Sequence, residues 1–201
     1  MTSERFAPGL LAAAVCTLVL LLGAPGAQAQ GFQPNESLGP PHNPSMDKVD
    51  QLLARAKTQF AHQAYDKAIA FDEQALAISE KDLGQGPYTA VVLTDLGLAY
   101  ASAGRYDDAE KAYLHAVAIR DKGKDKDSAE NLTLLNNIGL LYFNTDRAAQ
   151  ALPYLQRALD ICDKHLRRSD PRSKVTREHL ADVYRKLGRN ADADALAQDS
   201  K

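Results

Sequence analysis

Residues 93–119 read LTDLGLAYASAGRYDDAEKAYLHAVAI, and this stretch decides the fold. Apolar residues recur at every third or fourth position on both sides of Gly104, a spacing typical of two amphipathic helices. Gly97 and Tyr100 fall on one face of the first helix, and Tyr113 falls on one face of the second. Gly104 suits the left-handed residue that ends a helix. The stretch therefore predicts a helical hairpin.

The hairpin recurs along the chain with a period of about 42 residues. Leu96-Gly97-x-x-Tyr100 returns as Ile138-Gly139-x-x-Tyr142 and as Leu180-Ala181-x-x-Tyr184. Repeats of this length are typical of solenoids, in which each unit packs only on its neighbours. The predicted units are 49–89, 90–131, 132–173 and 174–201.

These motifs resemble the tetratricopeptide repeat family, and the long period resembles its kinesin-light-chain subtype. The resemblance implies an all-α, right-handed superhelical solenoid of helix-turn-helix hairpins over residues 46–201, with about 3.5 to 4 repeats and about eight helices. The pattern departs from the family in the first and third units, where Gln59 replaces the tyrosine and Asp146 replaces the turn glycine. The second helix of the fourth unit is short.

The resemblance also implies a binding surface. In this family the first helix of each unit lines a concave groove that holds an extended or helical peptide. The predicted groove residues are Lys57, Phe60, Thr94, Leu98, Asn136, Asn137, Leu140, Phe143, Asp182 and Arg185. The leucines and phenylalanines would form an apolar stripe, or alternatively belong to the core between repeats. The amide of Asn136 or Asn137 would bond a peptide backbone.

A carboxylate-binding groove is not expected. Members that recognise a C-terminal carboxylate carry Lys and Asn at set positions of their first helices. Leu53, Lys57 and Asp95 stand at three of those positions in this chain.

Composition and motifs argue against several function classes. The net charge of −2 and the pI of about 6.2 argue against a nucleic-acid binder. The five histidines show no metal-ligand spacing, and no phosphate-binding loop or nucleophile elbow occurs. Cys162 would be a nucleophile only beside a histidine, and an inert packed thiol is the favoured interpretation. We therefore expect no catalytic, cofactor-binding or metal site, no cofactor and no enzyme activity.

Charge is divided unevenly along the chain. Residues 161–189 carry nine Lys and Arg against four Asp and Glu, whereas residues 30–160 carry a net charge of −5. A solvated face is the favoured interpretation of the basic segment. A docking patch for an acidic partner or anionic lipid, and a head-to-tail contact between copies, are the alternatives.

The amino-terminal residues predict export. An uncharged apolar run over Leu10–Leu22, followed by Ala27-Gln28-Ala29, is typical of a secretory signal peptide over residues 1–29. An uncleaved membrane anchor is the alternative. Residues 30–45 are rich in Pro and Gly and predict a disordered tether.

The sequence therefore favours a non-catalytic, exported scaffold that binds a protein or peptide, and no nucleic acid, in its groove within a bacterial envelope complex. A periplasmic or secreted location is expected, without a transmembrane segment after cleavage. The alternative is a structural module that forms homodimers or stacks through its repeat ends.

Overall fold

The computed structural model describes residues 43–124 and 126–198. Over these residues the chain forms eight α-helices, joined in order into four hairpins, with no strand. The helices are α1 (Pro44–Ala61), α2 (Tyr65–Ile78), α3 (Pro87–Ser102), α4 (Tyr106–Lys122), α5 (Leu132–Asn144), α6 (Ala148–His165), α7 (Pro171–Lys186) and α8 (Asn190–Gln198). The predicted signal peptide and residues 30–42 of the predicted tether lie outside the described residues. None of the described helices is both long and apolar enough to cross a membrane.

Helix starts follow short-range capping chemistry. Asn43 caps α1, its side chain accepting a hydrogen bond from the Ser45 amide at 3.0 Å, and Pro44 takes the first helical position. The tether was predicted to extend to residue 45, so that boundary is wrong by two residues. Asp170 caps α7 in the same way, accepting from the Arg172 amide at 2.9 Å.

The sequence Asp127-Ser-Ala-Glu130 has the spacing of a capping box, but no side-chain cap forms there. Asp127 instead accepts a hydrogen bond from the guanidinium of Arg157 on α6, with Oδ1 and Nε 3.3 Å apart. A short 3₁₀ turn over Ala129–Asn131 precedes α5. The Asp127 side chain therefore forms an ion pair with α6 instead of capping the helix that follows it.

All four hairpin turns place one residue in the left-handed conformation. Gly104 and Gly188 have φ of 78° and 74°, as the pattern predicted. In the other two hairpins Gln63 and Asp146 adopt the same conformation, with φ of 57° and 60°. The turn geometry is thus kept where glycine is absent, at a modest conformational cost.

In each of the last three hairpins, an arginine that follows the turn stacks on the ring of a tyrosine that precedes it. The guanidinium of Arg105 lies 4.4 Å from the ring centre of Tyr100, and Arg147 and Tyr142 are similarly placed at 4.7 Å. The Tyr100 hydroxyl also donates to Glu73 of the preceding repeat at 2.6 Å. This tyrosine therefore holds its own turn and links two repeats.

The core runs through the stack rather than around one centre. Within a hairpin the two helices pack against each other through small residues. The second helix then packs against the first helix of the next hairpin. Tyr113, Leu155 and Ile138 are among the fully buried side chains. The observed hairpins begin three to five residues before the predicted units 49–89, 90–131 and 174–201, because their first helices start at Pro44, Pro87 and Pro171.

Candidate binding groove

The first helices of successive repeats approach one another more closely than the second helices do. Several polar contacts join them. Lys57 Nζ lies 3.6 Å from Asp95 Oδ2, Asn136 Nδ2 donates to Thr176 Oγ1 at 3.0 Å, and Lys186 Nζ donates to the Phe143 carbonyl at 3.1 Å. A stack whose first helices converge has its concave side along α1, α3, α5 and α7.

Two leucines lie on this side in equivalent positions. Leu98 and Leu140 occupy the same repeat position on α3 and α5, and both are half-buried. Neither contributes to the apolar core clusters of the described residues. Half-exposed leucines outside the core are suited to contact a partner.

Phe60 and Phe143 lie at the boundary between the core and the surface. Phe60 is half-buried and packs on a core cluster that contains Ala68 and Leu96. Its ring meets the Tyr65 ring edge-on, with the ring centres 5.3 Å apart. Phe143 is half-buried as well, and the ammonium of Lys186 lies 4.7 Å from its ring centre. Both rings therefore support the core and still expose part of their surface.

The prediction for the asparagine amides is corrected by the structure. Asn136 is 3% exposed and Asn137 is 5% exposed. Asn136 Nδ2 donates to the Leu132 carbonyl and to Thr176 Oγ1, both at 3.0 Å, and the Asn137 side chain bonds Tyr113. These amides join repeats from the inside, so a peptide backbone in the groove does not reach them.

The last repeat offers a polar end to the concave side. Asp182 and Arg185 are exposed and form an ion pair of 3.0 Å. They border an open cavity of about 380 Å³ between α7 and α8. Thr94, further along the groove, is half-buried and donates its hydroxyl to the Ala90 carbonyl at 2.7 Å.

A carboxylate that the sequence analysis missed lies at the junction of the first two repeats. Asp72 of α2 is 3% exposed, and burial and the nearby Asp95 raise its pKa to about 8. Burial also raises the pKa of Asp95, and Lys57 opposes that shift. The signal was present in the repeat alignment, since Asp72 stands where Tyr113 and Leu155 stand later.

Most cations of the basic segment have carboxylate partners. At least six of the nine form ion pairs within the described residues: Arg172, Lys174, Arg177, Arg185, Lys186 and Arg189. Arg177 is the one of these that is buried, where it pairs with Asp163. This pairing favours the interpretation of the segment as a solvated face over that of a docking patch.

The described residues show no grouping of three or more His, Cys, Asp or Glu side chains suited to a metal ion. Cys162 is buried, with Sγ 3.7 Å from Thr176 Oγ1. Burial lowers the pKa of His179 to about 4, so this side chain is neutral at pH 7.

The chain matches known proteins over most of its helical part. The family profile for the tetratricopeptide repeat matches residues 51–122 and 130–200. Tetratricopeptide repeat protein 19, a mitochondrial protein, is 30% identical in Rattus norvegicus over 115 residues, which make up 57% of this chain and 30% of that protein. The Homo sapiens protein is 29% identical over 115 residues, which are 57% of this chain and 29% of that one. The chain thus spans about 30% of the length of these relatives.

Two solved structures share the fold. BtubC (BKLC) from P. vanneervenii superposes with a TM-score of 0.71 at 22% identity, covering 80% of this chain and 64% of that one. A kinesin-light-chain-like protein of Podosopora anserina with nearly identical TPR-like repeats gives 0.69 at 21% identity, covering 79% of this chain and 74% of that one. At these identities the likeness concerns the fold alone.

Proposed function

Because this chain belongs to the tetratricopeptide repeat family, we propose that it is a non-catalytic protein–protein interaction scaffold that binds a peptide or helix on its concave side. The observation that carries the proposal is the pair Leu98 and Leu140, two half-exposed leucines outside the core at equivalent positions of adjacent repeats. An amphipathic helix or an extended peptide with apolar anchors needs such a row of contacts.

The flanking residues extend this surface at both ends. Phe60 and Lys57 continue it on α1, and Phe143, Asp182 and Arg185 continue it toward the last repeat. An apolar centre with charged ends gives affinity through the buried apolar area and register through the charges. Because the buried Asn136 and Asn137 are excluded, recognition rests on side-chain contacts.

Export forms the second part of the proposal. The apolar run over Leu10–Leu22 and the Ala27–Ala29 triplet support a cleaved signal peptide and a periplasmic or secreted scaffold within a bacterial envelope complex. Amino-terminal sequencing of the protein recovered from a bacterial periplasm tests this part. A mature chain beginning at Gln30 is expected, and a retained Met1 in that fraction would contradict cleavage.

The groove is tested with peptides selected from a random phage-displayed library on the full chain. We expect Leu98→Glu and Leu140→Glu to weaken the selected peptides at least tenfold, because each places a charge in an apolar contact worth about 1.4 kcal/mol or more. Leu114→Glu is the matched control, since Leu114 is 38% exposed on α4, a second helix. Equal losses in all three variants, or none, would argue against the groove.

The self-association alternative stays a prediction. Light scattering on the purified full chain measures its oligomeric state, and a monomer at high concentration would argue against it.

A further inference from the structure

A buried carboxylate takes a core position in the first repeat. Asp72 lies on α2 at the position that Tyr113 and Leu155 hold in the next two repeats. Its Oδ1 atom is buried and has no hydrogen-bond partner among the described residues. Leaving such an oxygen unpaired is unfavourable, because the desolvation of the oxygen is not compensated. A donor is therefore missing at this point.

The next junction shows what the first one lacks. There the equivalents of Asp72 and Asp95 are Tyr113 and Asn137, whose side chains hydrogen-bond to each other. A hydroxyl and an amide supply donors as well as acceptors, whereas two ionised carboxylates supply acceptors alone. When both carboxylates of the first junction are ionised, that junction therefore combines acceptors from Asp72 and Asp95 without the amide and hydroxyl donors of the next one.

The cation beside these carboxylates is weakly held. Lys57 Nζ lies 3.6 Å from Asp95 Oδ2, and the Lys57 side chain is 68% exposed. An ion pair this exposed contributes little to stability, because water screens it. Asp95 and Lys57 are the charged groups whose fields act on Asp72. The exposed Lys57 ammonium therefore lies near both carboxylates, and the Asp72 carboxylate is almost fully buried.

We propose that Asp72 and Asp95 together bind one lysine or arginine side chain of the peptide that occupies the groove. This inference rests on the proposed groove function. The Asp95 side chain is 28% exposed and Asp72 is 3% exposed, so the cation would enter at Asp95 in place of Lys57 and meet Asp72 behind it. A guanidinium or ammonium donates to both carboxylates at once, which makes it a stronger partner than a neutral donor. The pair thereby selects peptides with a basic residue at one end, next to the residues that contact Leu98.

Binding at this site is coupled to a proton. The free protein holds a proton on Asp72 at neutral pH, since its pKa is raised to about 8. An arriving cation displaces that proton. Affinity for a basic probe therefore rises about tenfold from pH 7 to pH 9. Ethylguanidinium is the suitable probe, because its charge does not change over this range.

The first test is a titration of the full chain with ethylguanidinium, followed by the NMR signals of residues 72 and 95. Saturable shifts that grow with pH are expected, and N-ethylurea, an uncharged molecule of similar shape, should produce none. The double variant Asp72→Asn with Asp95→Asn removes both ionisable carboxylates and keeps the size of each side chain. It should lose the saturable shifts. Absence of saturation in the natural chain, or equal shifts in the double variant, overturns the proposal.

Selected peptides separate this inference from the proposed function. Enrichment of Lys or Arg at one position, with at least tenfold weaker binding to the double variant, supports the site. Peptides that lose affinity on Leu140→Glu but show no basic preference overturn the site and leave the groove function intact. If no peptide is selected, the groove function fails, and the ethylguanidinium titration alone decides whether the carboxylates bind a cation.

Discussion

The ring of Tyr113 rests directly on Gly97. A Cβ atom added at residue 97 would lie 2.5 Å from Tyr113 Cε1, and one added at Gly139 would lie 2.5 Å from Leu155 Cγ. Tyr113 and Leu155 are both fully buried. The contact therefore closes the second and third hairpins by letting a large side chain of the second helix touch the backbone of the first.

Replacing Gly97 by Ala should destabilise the protein. The methyl group forces a buried ring to move, and overpacking of this kind costs about 1–3 kcal/mol. Urea unfolding of Gly97→Ala measures the loss. Gly86→Ser is the control, because a Cβ at Gly86 meets no atom within 4 Å and serine suits that N-cap position. Equal stability of the Gly97→Ala variant and the natural chain would contradict the tight contact.

Replacing Asp72 by Asn should remove a pH dependence of stability. The pKa of Asp72 rises from 3.8 to about 8 on folding, so the folded chain binds a proton more tightly than the unfolded chain. The stability from this group is complete below pH 4 and is lost as pH rises through 8. Urea unfolding at pH 5, 7 and 9 should show Asp72→Asn gaining on the natural chain by a few kcal/mol at pH 9. Asp160→Asn, at an exposed position on α6, should show no such gain, and a parallel pH response of all three proteins would contradict the assignment.

His179 should act in the opposite sense on the acid side. Its pKa falls from 6.5 to about 4 on folding because the ring is buried, so its stabilising contribution is present above pH 6.5 and is lost as pH falls through 4. We expect His179→Gln to flatten the decline in the free energy of unfolding between pH 6.5 and 4. The exposed His62 provides the comparison, since His62→Gln should leave that decline unchanged. A decline of the same steepness in His179→Gln would show that the ring titrates normally.

Replacing Asn136 by Ala should destabilise the stack whether or not a peptide is present. The change removes two buried hydrogen bonds, to the Leu132 carbonyl and to Thr176, at a cost of about 1–3 kcal/mol. Thermal unfolding of the free protein measures it, with Asn144→Ala at the exposed end of α5 as control. A variant of unchanged stability that lost peptide binding would instead return Asn136 to the groove.

Local patterns predicted the hairpins because their causes lie within a few residues. Helical periodicity placed the helices, and Gly104 and Asp170 marked a turn and a helix start that the structure confirms. The same reasoning failed at Asp127, where the local cap lost to the guanidinium of Arg157, a partner 30 residues away. Three first helices begin before the predicted repeat boundaries, at Pro44, Pro87 and Pro171. Proline is favoured at the first position of a helix, so it marks the helix start better than the repeat period does.

Sequence by itself determined the repeat, the pairing of a small residue with a large one in the second and third hairpins, and the order in which hairpins stack. These depend on periodicity and on residue size, which a single chain displays. Tertiary structure alone decided which polar positions face inward. Asn136 and Asp72 are buried because a neighbouring repeat covers them, and the Asn136 amide nitrogen found an acceptor there, whereas Asp72 Oδ1 has no partner among the described residues. Exposure depends on what lies across the junction, so the candidate groove and its carboxylate pair emerged only when the repeats were placed side by side.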